Sequence, residues 1–377
     1  MVWPVVSIIW LNYNSAKIID IVLKSLEASV DLDYPSNKFE LIVVDNGSND
    51  GSFEIIKDFL NKKFSLRKKI IKLERNLGFT GGNNVGFRAR DLDSKYVALL
   101  NNDAIPLPES LQVLVEYAEA RDDVGAVQGI ILDMDTGRID TAGDMLTELL
   151  GAYQLYHGQV HQSVKKSFYI SYADGAYFLF KVNAVKKATG FSDKIFYDEM
   201  FAYFDDSILG LQLWNRGFKI VSYPSLTAFH RRSSSFGKIS PLKIYLMTRG
   251  YIALNELCNS RYKKLIRKSF YTRIMRMYMA RLLASKIVGG KYRLQSPPGE
   301  LLHAFYRGYL DGLRWGRRKI EELGASIDIY KAPILRTLPQ EATTMLLTGI
   351  GIDFFRRYYT ESIGRKFERK IHMFIAD

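Results

Sequence analysis

Two acids stand side by side in "YFDDSIL", Asp205 and Asp206, ahead of a run with apolar residues at Leu209, Leu211 and Leu213. Adjacent carboxylates raise each other's pKa through like charge. The plain alternative is a helix N-terminus decorated with acids, where negative charge is favourable anyway. A second candidate lies in "YVALLNNDAIPLP". There an apolar run stops at Asn101, Asn102 and Asp103, with Pro106 and Pro108 beyond, so the polar residues are turn formers or ligands. A third is His230, which follows strand-like "SLTAF" and precedes "RRSSSFG". His157 and His161 stand at i, i+4 spacing without an "HExxH" pattern or a third ligand, and read as surface residues.

These residues need elements to position them. "VVSIIWLNY" (5 to 13), "FELIVVDNGS" (39 to 48), "KIIKLE" (69 to 74) and "KYVALL" (95 to 100) read as strands. Helix-spaced segments alternate with them at 15 to 29, with Ser15 as the N-cap, at 52 to 64, and from 81 to 90. This order predicts an α/β fold with an open, mainly parallel sheet covered by helices. Ligands in such sheets bind beyond the carboxyl ends of the strands. Polar clusters occupy each of those ends: Asn12 and Asn14, Asp45 and Asn46, Arg75 and Asn76, then Asn101 to Asp103. All four should converge on one rim. From 124 to 231 the pattern is less regular, with short strands such as "VGAVQGIIL" and "SYADGAYFLFKV".

At 377 residues, with 47% hydrophobic and 25% charged content, the chain is globular and large enough for one large or two modest domains. A single cysteine, Cys258, excludes a disulfide framework and a cysteine-based zinc site, and fits a reducing compartment. The start "MVWPVVSIIWLNYN" lacks a basic n-region and reads as a first strand rather than a signal peptide. The most apolar stretch elsewhere, "ATTMLLTGIGI" at 342 to 352, is too short to span a membrane. Charge is uneven: 24 basic and 29 acidic residues lie up to His230, against 29 basic and 11 acidic after it, net −5 and +18. The second part therefore faces something anionic, whether a membrane surface, a nucleic acid or a phosphorylated substrate. It reads as helical: "YKKLIRKSFYTRIMRMYMARLLASKI" (262 to 287) places Leu265, Ile266, Phe270, Ile274, Met277, Tyr278 and Leu282 near one stripe, and 300 to 323 repeats the style.

No "GxGxxG" follows the first strand, and neither "GxxxxGK[ST]" nor "GxSxG" occurs. What does occur, in order, is "VSIIWLNYNS", "LIVVDNGSNDGS", "ERNLGFTGGNNVGFRAR", "LLNNDA", "MFAYFDDSILGLQLWNRGFKI" and "FHRRSSSFG". This set resembles the family 2 glycosyltransferases of GT-A fold, most nearly the rhamnosyltransferase-like group, over residues 5 to about 250. The resemblance implies a Rossmann-like nucleotide-diphospho-sugar transferase domain in 1–240 and a helical, basic region in 241–377. It implies an inverting transfer from a UDP-, dTDP- or GDP-sugar to a glycan or lipid-linked glycan, with Mg²⁺ or Mn²⁺ as cofactor.

The same resemblance suggests roles. Asp206 matches the general base, and Asp205 positions the acceptor or tunes its neighbour. Asp103 matches the last carboxylate of a metal-binding "DxD", in which Asn101 replaces the first acid. His230 completes the metal site, and Arg231 and Arg232 touch the diphosphate. Asn12, Asp45 and Asn76 meet the nucleotide, Gly81 allows close backbone approach, and Asp174 borders donor and acceptor. Where many relatives carry a further acid, this chain has Ile208. A nucleotidyltransferase on a related fold is one rival, although "LNYNSAK" stands where its basic, glycine-rich loop belongs. A degenerate nucleotide-sugar-binding protein is the other. The basic region is expected to lie on an anionic membrane, which would place the protein in the cytoplasm, peripherally on the inner face of the cell membrane. Packing on the core or a homo-oligomer contact is the alternative, and no nucleic-acid partner is expected.

Overall fold

The computed structural model describes residues 2–63, 67–231, 240–287, 298–340, 342 and 370–376. Arg232 and nearly all of "ATTMLLTGIGI" lie outside the described residues.

The first hundred residues fold as β1 (Val6–Asn12), α1 (Ile19–Val30), β2 (Phe39–Asp45), α2 (Ser52–Asn61), β3 (Lys68–Lys72), α3 (Gly78–Ala89) and β4 (Tyr96–Asn101). All four strands are parallel, with β1 between β2 and β4. Side chains of a strand alternate between faces, so Ile8 and Trp10 join a core with Val22, Leu26 and Leu41, while Ile9 joins Phe87, Val97 and Leu99 on the other side. Burial on both faces is why these strands read as unbroken Val and Ile runs. The expected cap is different in the structure. Ser15 caps nothing, because its hydroxyl donates to Asn12 Oδ1 at 2.5 Å, and α1 begins only after a 3₁₀ turn at Ala16–Ile18.

The chain continues through β5 (Ala104–Pro106), α4 (Ser110–Glu119), β6 (Val124–Asp133), β7 (Ile139–Thr141), β8 (Asp144–Thr147), β9 (Ala152–Gln154), β10 (Phe168–Tyr169), β11 (Tyr177–Lys181), α5 (Val182–Thr189), α6 (Asp205–Asn215) and β12 (Lys219–His230). The main sheet has the order β10-β12-β6-β11-β4-β1-β2-β3. It is mixed. β6 and β12 are parallel, but β11 is inserted antiparallel between β4 and β6. The reason is where the chain arrives: it reaches β11 from the rim at the carboxyl end of β4 and runs back down, pairing Tyr177 with Leu100 and Lys181 with Tyr96.

Beyond the sheet come α7 (Pro241–Leu257), α8 (Lys263–Ile287), α9 (Pro298–Leu323) and β13 (Ile334–Leu335). Ser240 caps α7, accepting from the Lys243 amide at 3.2 Å, with Pro241 at the first helical position. Gly308, Gly312 and Gly316 line one face of α9, where added Cβ atoms would collide with the backbone carbonyls of Tyr245, Arg249 and Ala253. Those glycines let α9 approach α7 closely. Charge binds the region to the core as well. Buried Glu148 accepts from Arg261 at 2.7 Å, Arg336 at 3.2 Å and the Thr337 amide at 2.7 Å, while inside the region buried Glu256 of α7 pairs with Arg267 of α8. β13 pairs parallel with β8, and Ile375 bridges to Phe168. In α8, Ile266 and Ile274 are buried as the stripe predicts, but Tyr278 is exposed; the Met277 and Leu282 side chains lie outside the described residues.

Candidate active site

Strand register brings distant residues to one rim. The loop of Asp174, Gly175 and Ala176 hands the chain to β11 beside the end of β4, where the Asn101 amide donates to the Ala176 carbonyl at 2.9 Å. β5 turns back from Asp103 and pairs antiparallel with β12, setting Ala104 opposite His230. The Arg231 amide then donates to the Asp103 carbonyl at 3.0 Å. A cleft of about 370 Å³ opens here. Asn101, Asn102, Asp103, Asp174, Asp205, Asp206 and His230 all line it, with Tyr13, Tyr203 and Lys243 among the others.

One wall carries the imidazole. His230 Nε2 is 3.3 Å from Asp103 Oδ1, and Nδ1 is 2.9 Å from Asp140 Oδ2. All three residues are buried. Burial pulls the His230 pKa down, and the bonds to Asp103 and Asp140 outweigh it, holding it up to about 10. The Asp103–His230 pair suits a divalent cation that takes its remaining ligands from phosphate and water, since one carboxylate oxygen and one imidazole nitrogen lie within a single coordination sphere's reach. An all-protein cage is not built: among the described residues no group of three His, Cys, Asp or Glu is placed to hold a metal. Binding through His230 requires loss of its proton.

The acids at the start of α6 form the other wall. The loop that leads into them is unusual: Phe201, Tyr203 and Phe204 all have positive φ, at 62°, 71° and 66°. Such backbone is strained for residues with a Cβ and persists only where surroundings hold it. Here Gly78 holds it, since only a glycine lets α3 begin against the Phe201 carbonyl and ring. Burial pushes the Asp205 carboxyl up to about 6, against backbone hydrogen bonds that pull it down. Asp206 is raised well above the ordinary carboxylate range by burial first, then by the charges of Asp205 and Asp174. Its Oδ1 accepts from the Ser207 amide at 2.7 Å.

Other expected residues fall behind the cleft rather than on it. Asn12 is fully buried; its amide donates to Asp45 Oδ1 at 2.8 Å and its oxygen accepts from Asn102 at 3.0 Å. Asp45 Oδ2 accepts from the Ser48 amide at 3.0 Å. Asn76 accepts from the Gly78 amide at 2.7 Å and from Asn46 at 2.9 Å. Gly81 faces Leu77 within the first turns of α3. Arg231 is exposed just past β12. Three residues at or behind the cleft escaped the sequence reading. Asp140 had no local signal, Tyr13 was hidden beside Asn12, and Lys243 sits in α7, outside the motif set.

Residues 7–188, just under half of the chain, match the model of the glycosyl transferase family 2. An uncharacterized glycosyltransferase of Haemophilus influenzae is 30% identical over 139 residues, covering 36% of this chain and 40% of that one. The poly(ribitol-phosphate) beta-N-acetylglucosaminyltransferase TarS of Staphylococcus aureus is 33% identical over 107 residues, covering 28% of this chain and 17% of its own. The chain spans about half or less of the length of the curated relatives it matches. The solved structure of GalNAc-T7 with UDP, GalNAc and Mn²⁺ superposes with a TM-score of 0.55 at 12% identity, covering 85% of this chain and 57% of that one. That likeness is one of fold: a GT-A-like sheet, here joined to a basic helical region rich in salt bridges.

Proposed function

We propose that the protein is an inverting glycosyltransferase, moving a sugar from a nucleoside diphosphate to a hydroxyl of a glycan or lipid-linked glycan. One observation carries this reading: a single cleft holds the Asp103–His230 pair together with Asp206, a carboxylate held well above the ordinary carboxylate range. Asp206 accepts the proton of the acceptor hydroxyl, and the oxygen attacks the anomeric carbon from the face opposite the diphosphate. The bond from that carbon to the diphosphate oxygen breaks, and its electron pair leaves with the nucleoside diphosphate. Mg²⁺ or Mn²⁺ held by Asp103 and His230 would neutralise charge on the departing diphosphate. Asp205 and Asp174 hold the base's proton affinity up through their charge. Tyr13, 39% exposed at the cleft, offers an aromatic face to the nucleoside base, and Lys243 a cation to phosphate oxygens. Asn12, Asp45, Asn76 and Gly81 shape the donor end from beneath, and Arg231 reaches the diphosphate from the rim. Similar proteins support the substrate class: UDP with a sugar in GalNAc-T7, and N-acetylglucosamine transfer by TarS.

The test is nucleoside diphosphate release from UDP-, dTDP- and GDP-sugars, with Mn²⁺, Mg²⁺ or EDTA, and with added membrane extract as acceptor source. Cation-dependent release from one donor, lost in Asp206→Asn, is the expected result. Donor binding without turnover under every acceptor condition would favour a nucleotide-sugar-binding role, a reading that Asn101 in place of an acid also favours. Failure to bind any nucleotide sugar would end the proposal.

A further inference from the structure

α8 carries eight Lys and Arg residues and no acid. Part of that charge is spent inward. Lys263 and Arg267 bond to Glu256, and the Arg273 guanidinium lies 5.4 Å from the centre of the Phe305 ring. Lys264, Lys268 and Arg276 stay outside. At 100° per residue, Lys264, Lys268, Tyr271, Met275, Tyr278 and Met279 fall on one side of the helix, opposite buried Ile266, with buried Ile274 at one flank and Arg276 at the other. All seven are exposed, and the four large apolar ones are between 42% and 56% exposed. Isolated apolar side chains at a surface need no explanation, but four on one helical face form a patch.

The patch continues into a groove. Ile274, Met275 and Tyr278 of α8 face Leu302, His303 and Tyr306 of α9 across a cavity of about 390 Å³. Its floor, Ile274 and Leu302 with Phe305, packs on Ile244 in the first turn of α7. The next residue back is Lys243, which lines the cleft. The apolar groove and the candidate active site are therefore neighbours across one helical turn.

We propose that this face of α8, with the groove beside it, docks on an anionic lipid bilayer. Tyr271, Met275, Tyr278 and Met279 enter the boundary between head groups and acyl chains. Lys264, Lys268 and Arg276 meet lipid phosphates. Charge complementarity selects this occupant over a second copy of the chain: a two-fold contact would set the same cations against each other, whereas an anionic surface attracts them. Among the described residues no helix is long and apolar enough to cross a membrane, so α8 lies in the interface plane. Docking there would turn the cleft towards acceptors anchored in the same bilayer.

The test is flotation of the full chain with vesicles of phosphatidylcholine alone and of phosphatidylcholine with phosphatidylglycerol. Expected is flotation with the anionic vesicles only, weakening with added salt. The triple variant Lys264→Glu/Lys268→Glu/Arg276→Glu and the pair Tyr278→Ser/Met279→Ser should each lower the bound fraction at least about tenfold. Should a variant misfold, Tyr278→Trp serves in its place. Its emission, read as the difference from the wild type, should shift blue on adding anionic vesicles and not neutral ones. No flotation of the wild type, or equal flotation of well-folded variants, would overturn the proposal. So would an added indole whose emission is blind to lipid, or variants that change only the sedimenting mass, which would make the face a contact between copies. Flotation reads no sugar transfer, so a chain that floats but does not turn over would leave this inference standing and remove the transferase reading alone.

Discussion

Asp140 and His230 meet through a 2.9 Å contact between Oδ2 and Nδ1, although ninety positions separate them in the chain. β6 brings them together: β7 pairs with it on one edge, and β12 ends beside Asp133 on another. With Nδ1 held by a carboxylate, a neutral His230 keeps its free lone pair on Nε2, on the Asp103 side.

A carboxylate behind a ligating histidine fixes the ring and raises its basicity, and losing one typically costs about 10- to 100-fold in metal affinity. Asp140→Asn should therefore weaken Mn²⁺ binding by about that factor, read by calorimetric titration in the presence of nucleoside diphosphate. Unchanged affinity would make Asp140 a packing residue and weaken the assignment of His230 as a ligand.

Asp206→Asn should lower kcat by about 10²- to 10⁴-fold while leaving donor binding in place. In the wild type the base works only when deprotonated, and its pKa is raised. Activity should thus fall as pH drops through a value above the ordinary carboxylate range, with no such limb left in the variant. A pH–rate profile flat down to about pH 4 would remove Asp206 from the role.

Asp205 makes a stability prediction of definite sign. Its folded pKa, about 6, exceeds the ordinary 3.8, so the folded chain holds the proton more tightly than the unfolded one. The stability it contributes is fully present below about pH 4 and lost as pH rises through about 6. Urea denaturation between about pH 4 and pH 8 should show a slope of this sign, to which Asp206 and His230 also contribute, and Asp205→Asn should make it shallower and be the more stable protein at the alkaline end. A slope unchanged by the substitution would contradict the buried-carboxylate account.

Gly78→Ala should damage the base without touching it. Gly78 has a φ of +75°, and its new methyl would strike the Phe201 carbonyl. The expected cost is about 1 to 3 kcal/mol in denaturation midpoint experiments. Transfer should fall further than stability does, because the displaced loop leads directly to Asp205 and Asp206. Activity and stability falling in step would mean that the loop adapts.

The alternation of strands and helices up to residue 101 was legible because strands buried on both faces must be apolar throughout. The rim was legible for the same reason: Asn101 to Asp103 interrupt such a run, and they line the cleft. Strand direction was not legible, since nothing in "YFLFK" says that β11 runs against β4. Nor were β7, β8, β9 and β13, which at two to four residues are shorter than any periodicity. Asp140 lies in that silent stretch. Asn12 and Asn76 stood at the predicted strand ends, but their side chains act from behind the cleft, Asn12 by bracing Asn102 and Asp45 and Asn76 by holding the Gly78 amide.

The pairing of β13 with β8, and of Ile375 with Phe168, has a kinetic consequence. These partners are separated by roughly 190 and 210 residues, so their contacts form only after very long loop closures. The parallel strands can assemble early from near neighbours, while the helices that flank the cleft dock late. Refolding should therefore show nucleotide-sugar binding arriving after most of the secondary structure, and the interval between them is when β8 and β10 lie uncovered and prone to pair with other chains.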